Sequence, residues 1–178
     1  MKGSEQVITV LNQVLRKELT GINQYFIHAK MCQNWGYERL YKALWDESIG
    51  EMKHADRIIE RVLFLEAVPN ISAYDKILIG SNVKQQLEND LSLEGAALTV
   101  LHPGIKACVE ATDDSSRELL EHIVVDEEKH VDWIEAQLHQ INEVGYQNYL
   151  AQQIIKKTSE LLKSSPFTCP EFSEGANE

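Results

Sequence analysis

Cysteine, proline and glycine are all scarce in this chain. Its three cysteines, Cys32, Cys108 and Cys169, are odd in number and far apart, so they form neither a disulfide framework nor a structural zinc site. Only four prolines and nine glycines interrupt the sequence. This composition suits a protein of a reducing compartment that is built mainly from long helices.

Long apolar runs are also missing. No segment approaches the roughly 20 consecutive apolar residues that span a bilayer. Near the N-terminus, Asn12 and Gln13 interrupt a short apolar run, which therefore lacks the core of a signal peptide. These features predict a cytoplasmic protein that does not enter a membrane.

Basic residues are outnumbered by acidic ones. The chain carries 17 Lys and Arg against 28 Asp and Glu, so its formal net charge is -11. An acidic surface of this kind argues against nucleic acid and anionic membranes as partners and favours cations. At 178 residues the chain is long enough for one domain with a substantial core.

Four long segments repeat apolar residues at steps of three and four, which is the pattern of amphipathic helices. These segments are residues 5–34, 38–66, 83–111 and 114–143. The short turns between the first and second and between the third and fourth predict two antiparallel hairpins, and Asp or Ser in the second turn can cap a helix. Residues 67–82 are long enough to cross the length of a bundle. The prediction is an all-α four-helix bundle of ferritin-like connectivity.

The sequence after Gly145 predicts a short fifth helix within residues 146–163, followed by a polar end that contains two prolines. We therefore divide the chain into a domain over residues 1–158 and a flexible tail over residues 159–178. Pro103 and Gly104 fall inside the third helical pattern, where they predict a kink or an interrupted hydrogen-bond ladder.

Each predicted helix carries one glutamate within its apolar stripe. The four are Glu18, Glu51, Glu94 and Glu127. An unpaired carboxylate in the core of a bundle costs several kcal/mol or becomes protonated. Four such groups together require positive charge beside them.

Two of these glutamates begin the same motif, Glu51-x-x-His54 and Glu127-x-x-His130. Three residues advance a helix by about 300°, so the two side chains of each motif project from one face. The candidates therefore form two triplets: Glu18, Glu51 and His54, and Glu94, Glu127 and His130. A shift of 76 positions carries the first triplet onto the second. This repetition predicts a site with pseudo-twofold symmetry.

The charges of such a site balance. Four glutamates contribute about four negative charges, and two divalent cations contribute about four positive ones. One Glu from each of two helices and Glu-x-x-His from the other two is the ligand set of di-iron and di-manganese carboxylate bundles. Carboxylate and imidazole ligands suit iron or manganese better than the thiolates of structural zinc sites do.

At these residues the sequence resembles the bacterioferritins. The resemblance runs from residue 1 to about residue 155 and includes NQYFIHAKM, NWGYERL, ESIGEMKHADRIIERVLFLEAVPN, DEEKHVDWIE and GYQNYL. It implies a homo-oligomeric shell of 24 subunits that oxidises Fe²⁺ with O₂ or H₂O₂ and stores ferric mineral. It also implies two iron ions in each subunit, haem b between paired subunits, and a small ferredoxin that delivers electrons for iron release.

The resemblance also implies individual roles. Glu51 and Glu127 match ligands that bridge both metal ions. Each metal ion then has two further ligands of its own, which are Glu18 with His54 and Glu94 with His130.

Met52 matches the haem iron ligand of the bacterioferritins, of which each of two subunits supplies one. It projects away from His54 and so faces out of the bundle. The alternative is a methionine packed at an interface. Four residues of the first helix are candidates to line a haem pocket, and these are Leu19, Ile22, Asn23 and Phe26.

Other residues have weaker signals. Tyr25, two turns after Glu18, is a candidate to supply a hydrogen bond or an electron beside the metals, with a core tyrosine as the alternative. Asp90 and Asp126 are candidate acceptors from the ligand histidines. Four histidines lack a partner pattern and are predicted to be surface or packing residues: His28, His102, His122 and His139.

Two positions depart from the family pattern. Some bacterioferritins carry a histidine and an aspartate on the inner surface where this chain has Asp46 and Gly50. Gly50 offers no side chain to a metal, which argues against an accessory iron site there.

Two other functions stay open from the sequence. One is a di-iron oxidase or peroxidase that forms no cage and acts on an organic substrate. The other is a haem-binding assembly in which the di-metal site is structural.

Overall fold

The computed structural model describes residues 2–154, which form four long helices and a short fifth one. In chain order these are α1 (Glu5–Asn34), α2 (Glu38–Phe64), α3 (Val83–Glu110), α4 (Asp114–Val144) and α5 (Tyr146–Gln153). Helix α1 packs most extensively on α2, α3 packs on α4, and α1 also contacts α3. The predicted all-α bundle with a short fifth helix is confirmed, and its four long helices agree with the predicted segments to within two residues.

The two hairpin turns follow from local chemistry. Helix α1 ends where Gly36 adopts a φ of +83°, and the N–H of Tyr37 donates to the carbonyl of Cys32 at 2.9 Å. This is a Schellman ending, in which glycine takes the left-handed conformation without steric cost. Helix α4 begins at its N-cap Asp113, whose side chain accepts from the N–H of Ser116 at 3.0 Å, as the second turn predicted.

The crossover, residues 67–82, is held along α1 by side chains spaced at whole turns of that helix. Four of its backbone N–H groups donate to α1 side chains: Asn70 to Asn12, Asp75 to Thr20, Leu78 to Gln24 and Gly80 to His28. The donor–acceptor distances lie between 2.7 and 3.1 Å. The crossover therefore runs alongside α1 in a fixed register although it contains no helix.

The core is divided into two apolar parts. The first surrounds Leu11, Ile58 and Leu101, and the second surrounds Leu44 and Ile134. One buried glutamate of each long helix lies between them in chain order, and these are Glu18, Glu51, Glu94 and Glu127. The division places a polar layer across the middle of the bundle.

Helix α3 runs unbroken from Val83 to Glu110 with Pro103 inside it, and the predicted interruption of its hydrogen-bond ladder is confined to the one N–H donor that Pro103 lacks. Pro103 and Thr99 are both exposed, so water can reach the carbonyl of Thr99 that loses its helical donor. Gly104 is required by packing. A Cβ atom there would lie 2.5 Å from Cγ1 of Val10 on α1.

Helix α5 ends at Gln153, whereas the predicted pattern continued to residue 163. That continuation, the tail at residues 159–178 and Cys169 lie outside the described residues. Within residues 2–154, no helix has a stretch long and apolar enough to cross a membrane.

Candidate metal centre

The six predicted ligand side chains meet in the polar layer, and all four long helices contribute to it. They are Glu18 from α1, Glu51 and His54 from α2, Glu94 from α3, and Glu127 and His130 from α4. None of the four glutamates is more than 3% exposed. Each helix therefore brings a carboxylate to a place where water cannot solvate it.

These side chains form two groups that share two members. In the first, potential ligand atoms of Glu18, Glu51, His54 and Glu127 all lie within 4.8 Å of one another. In the second, the same holds for Glu51, Glu94, Glu127 and His130. Glu51 and Glu127 belong to both groups. The geometry is that of two adjacent metal positions with two bridging carboxylates.

The two histidines use the same ring nitrogen toward the carboxylates. Nδ1 of His54 lies 3.1 Å from Oε2 of Glu18 and 3.3 Å from Oε1 of Glu127. Nδ1 of His130 lies 3.1 Å from Oε2 of Glu127 and 3.6 Å from Oε1 of Glu94. The imidazole rings are 6.5 Å apart and inclined by 23°. Both Nδ1 atoms are placed to bind a cation.

Three buried oxygen atoms in this cluster make no hydrogen bond. They are the Oε1 atoms of Glu18, Glu51 and Glu127. Buried carboxylate oxygens without hydrogen-bond donors are expensive unless a cation contacts them. The residues therefore fit a pair of metal ions, and their oxygen and nitrogen donors suit iron or manganese.

The cluster separates the pKa values of its carboxyl groups. Burial and the charge of Glu51 raise the pKa of Glu18 well above its usual value. Burial also raises the pKa of Glu94, and hydrogen bonding to His130 only partly opposes it. For Glu51, burial acts upward, but the nearby imidazoles of His130 and His54 outweigh it and lower the pKa to about 2. Without metal, the carboxyl groups that bind protons most readily are therefore Glu18 and Glu94, each of which belongs to only one metal position.

The histidines show the complementary effect. Burial favours neutral His54, but contacts with Glu127, Glu18 and Glu51 outweigh burial and raise its pKa to about 12. The pKa of His130 is raised by the same balance of burial against its carboxylate neighbours. Both imidazoles are therefore cationic when no metal is bound.

The second ring nitrogen of each histidine points to another carboxylate. Nε2 of His54 lies 3.4 Å from Oδ2 of Asp126, as predicted. Nε2 of His130 lies 2.7 Å from Oε2 of Glu47, a residue that the sequence analysis missed. Its position one turn before Glu51 was the available signal, because side chains four residues apart share a helix face.

The prediction for Asp90 is wrong, and His28 is a packing residue, one of the two roles predicted for it, with partners that its sequence pattern did not reveal. Asp90 contacts Nδ1 of His28 at 2.9 Å and accepts a hydrogen bond from Gln24, so it does not reach His130. His28 is fully buried and has two partners, Asp90 and the N–H of Gly80. The other three histidines without a partner pattern are exposed, as predicted: His102, His122 and His139.

Tyr25 lies at the edge of the second group. Its hydroxyl donates to Oε1 of Glu94, and its side chain is fully buried. Burial, and then the charge of Glu94, raise the pKa of the Tyr25 phenol well above its ordinary value. The phenol is therefore held protonated against one of the carboxyl groups of the cluster.

Met52 faces away from the cluster, as its helical position predicted. Its side chain is 50% exposed, and Phe26 on α1 is 46% exposed. Leu19 and Ile22 are half-buried and Asn23 is exposed. An exposed thioether on the outer face of α2 fits a ligand to haem iron at an interface between subunits.

This arrangement defines a class. Four long helices with one crossover, which enclose two overlapping groups of Glu and His, form a ferritin-like bundle, and the family model of the ferritin-like domain matches residues 8–144. Among curated proteins, the bacterioferritin of Mycobacterium leprae is 41% identical over 159 residues, covering 89% of this chain and all of that protein. The bacterioferritin of Rhodobacter capsulatus is 41% identical over 149 residues, covering 84% and 92%.

Mycobacterium tuberculosis has a bacterioferritin that is 43% identical over 152 residues, covering 85% of this chain and 96% of that protein. The chain belongs to the bacterioferritin family, which confirms the resemblance seen in its sequence.

Proposed function

We propose that this chain stores iron and oxidises it, taking up two Fe²⁺ ions between its four helices and converting them to Fe³⁺. The observation that carries the proposal is the pair of buried ligand groups that share Glu51 and Glu127. Two ions bridged by the same carboxylates can give up one electron each in a single event. Membership of the bacterioferritin family supports iron as the metal.

The oxidation balances with either oxidant. Two Fe²⁺ ions supply two electrons, which reduce H₂O₂ to two molecules of water with two protons, or O₂ to H₂O₂ with two protons. Fe³⁺ is the harder acid, so the oxygen-rich ligand set stabilises the product more than the substrate. We assign Glu18 with His54 to one ion and Glu94 with His130 to the other.

Tyr25 has a defined place in this scheme. Its hydroxyl donates to Glu94, a ligand of the second ion alone. We propose that Tyr25 stabilises the negative charge of Glu94 and can supply an electron from beside that ion. For this role we class Tyr25 as a catalytic residue.

The proposal extends to haem and assembly. Met52 supplies the ligand to haem b iron from each of two subunits, and its exposure on the outer face of α2 supports this. Bound haem would carry electrons for iron release, with a small ferredoxin as the donor. Twelve such pairs form the proposed shell of 24 subunits. The cytoplasmic location remains a prediction.

The test compares two adjacent glutamates of α4. Glu127 is buried between both metal positions, whereas Glu128 is exposed. Oxygen or peroxide consumption is followed in a stopped-flow instrument after Fe²⁺ is added to metal-free protein. We expect Glu127→Ala to lower the initial rate at least tenfold and Glu128→Ala to leave it unchanged.

The mass of the particle separates the remaining alternatives. A shell has a mass of about 24 times 20.3 kDa. Fe²⁺-dependent turnover by a particle of one or two subunits would instead support a non-cage oxidase or peroxidase. An undiminished rate in Glu127→Ala would overturn the ferroxidase assignment and leave a structural di-metal site in a haem-binding assembly.

A further inference from the structure

The outward contacts of the two ligand histidines are not equivalent. His54 on α2 reaches Asp126 on α4 at 3.4 Å, whereas His130 on α4 reaches Glu47 on α2 at 2.7 Å. In each case the histidine comes from one of these two helices and the carboxylate from the other. The arrangement is reciprocal, but the two distances differ.

The carboxylates also occupy non-equivalent sequence positions. Asp126 immediately precedes the bridging ligand Glu127, while Glu47 stands one helical turn before the bridging ligand Glu51. The 76-residue shift that relates the ligand triplets carries Asp126 onto position 50, which is Gly50. The symmetric partner for His130 is therefore missing, and Glu47 reaches the imidazole from a different turn.

Glu47 is engaged by His130 alone among residues 2–154. Its side chain is 25% exposed, so about three quarters of it is shielded against the bundle. Asp126, by contrast, is 41% exposed and also pairs with Lys129 at 2.7 Å. His130 is thus held by a dedicated carboxylate, and His54 by one that is shared with a lysine.

Outer contacts of this kind matter because a metal-bound imidazole must present one nitrogen to the metal and keep the proton on the other. A carboxylate at Nε2 fixes that tautomer and the ring orientation, and it increases the basicity of Nδ1. Loss of such a partner typically lowers metal affinity by about 10- to 100-fold.

We propose that Glu47 is the positioning residue for His130 and replaces a carboxylate that the pseudo-twofold symmetry would place at residue 50. This inference rests on the proposed di-iron function, since His130 matters only as a metal ligand. On this proposal, Glu47 sets the metal affinity of the position formed by Glu94 and His130. Asp126 sets the metal affinity of the position formed by Glu18 and His54.

The test uses Co²⁺, whose visible absorption bands report each bound ion without turnover. Metal-free wild-type protein, Glu47→Gln and Asp126→Asn are titrated, and the two binding constants are extracted. We expect Glu47→Gln to weaken one of the two sites by about 10- to 100-fold and to change its absorption bands, while the other site stays within twofold of wild type. Asp126→Asn should affect the opposite site.

Two further variants separate positioning from charge. Asp46→Asn removes the same charge one residue away, from a side chain that is 60% exposed and paired with Lys42, and it should leave both sites unchanged. Gly50→Asp in the Glu47→Gln background should restore affinity, because a Cβ atom at Gly50 meets nothing within 4 Å.

The outcomes distinguish this inference from the function on which it rests. Wild type that binds two Co²⁺ ions, together with Glu47→Gln that binds both equally well, would overturn the role of Glu47 alone. An equal loss in Asp46→Asn would also overturn it, since charge rather than position would then be responsible. Wild type that binds no pair of Co²⁺ ions would contradict the di-iron centre itself.

Discussion

The buried histidines and glutamates form a cluster whose charges cancel without metal. The pKa values of His54, His130, Glu18 and Glu94 are raised. The pKa of Glu51 is lowered to about 2, because the neighbouring histidines outweigh the effect of burial. Burial and the charge of Glu51 act upward on the pKa of Glu127, but contacts with His130 and His54 outweigh them and lower it. Two cationic imidazoles then face two carboxylates and two neutral carboxyl groups. In the metal-free protein, bound protons neutralise the carboxylates of the cluster, as metal ions would in the loaded protein.

Metal loading should therefore release protons. Two divalent ions replace two protons on the carboxyl groups and two on the imidazoles, so we expect about two protons to leave for each ion bound. Because the groups with raised pKa values lose these protons, metal affinity should rise with pH across the neutral range. Calorimetric titration with Co²⁺ in buffers of different ionisation enthalpy measures the number. A heat of binding that is independent of the buffer would contradict this exchange.

At the scale of single residues, the six candidate ligands could be predicted from the sequence. The residues that surround them could be predicted only in part. Glutamates within apolar stripes and the repeated Glu-x-x-His motif depend on the period of a single helix, which a sequence displays directly. The spacing of Glu47 from Glu51 gives the helix face on which Glu47 lies, but its contact with His130 also depends on the register between α2 and α4, which leaves no periodic signal. His28 of α1 contacts Asp90 of α3 and accepts from Gly80 of the crossover, and both contacts are set by tertiary packing.

At the scale of the helices, the beginning of α4 joins a cap to an ion pair. The carboxylate of Asp113 accepts from the N–H and hydroxyl of Ser116 and contacts Nη2 of Arg61 near the end of α2 at 2.6 Å. Burial raises the pKa of Asp113, but the hydrogen bonds from Ser116 and Arg61 outweigh burial and lower it. One side chain therefore ties the two hairpins together.

Substitution of this cap should destabilise the bundle in a pH-dependent way. We expect Asp113→Ala to lower the free energy of unfolding by about 1 to 2 kcal/mol at pH 7. The pKa of Asp113 is lower in the folded protein than its unfolded value of 3.8. Its carboxylate therefore stabilises the fold above pH 3.8, and this contribution is lost as the pH falls through the folded-state pKa.

Chemical denaturation at pH 7 and near pH 3 measures the difference between the variant and wild type. Asp113→Asn keeps a competent cap and serves as the control for the charge. A gap between Asp113→Ala and wild type that widens in acid would contradict the ion-pair account.

The helices themselves were predictable because their boundaries are marked locally. Gly36 and the acidic turn before α4 both carry terminal signals in the sequence. Pro103 does not end α3, since the one hydrogen bond that an exposed proline loses can be replaced by water. The close approach of α1 and α3 at Gly104 was also hidden, because a glycine in a helix does not reveal which neighbour requires its lack of a side chain.

At the scale of the whole molecule, the metal cluster and Met52 lie on opposite sides of α2. The cluster is enclosed by the four helices, while Met52 faces outward, where a second subunit can approach. One helix can therefore serve an internal site and an external one without competition for space.

Replacement of the external thioether should remove haem without disrupting the assembly. We expect Met52→Leu to reduce haem content to below about a tenth of wild type, because leucine keeps the apolar surface but offers no ligand to iron. Met31→Leu is the matched control, since Met31 is half-buried and its sulfur contacts Gln86 instead. Absorbance of the purified protein in the Soret region and its native mass measure both outcomes. Full haem occupancy in Met52→Leu would show that another residue binds the haem iron.

The hydrogen bonds between the crossover and α1 have a consequence for how this chain can vary in length. Surface connections generally tolerate insertions and deletions. Here the backbone N–H groups between Asn70 and Gly80 must align with acceptor side chains at fixed positions along α1. A single inserted residue would shift every later donor away from its acceptor. We therefore expect insertions and deletions between Asn70 and Gly80 to destabilise the bundle by breaking several of these hydrogen bonds at once.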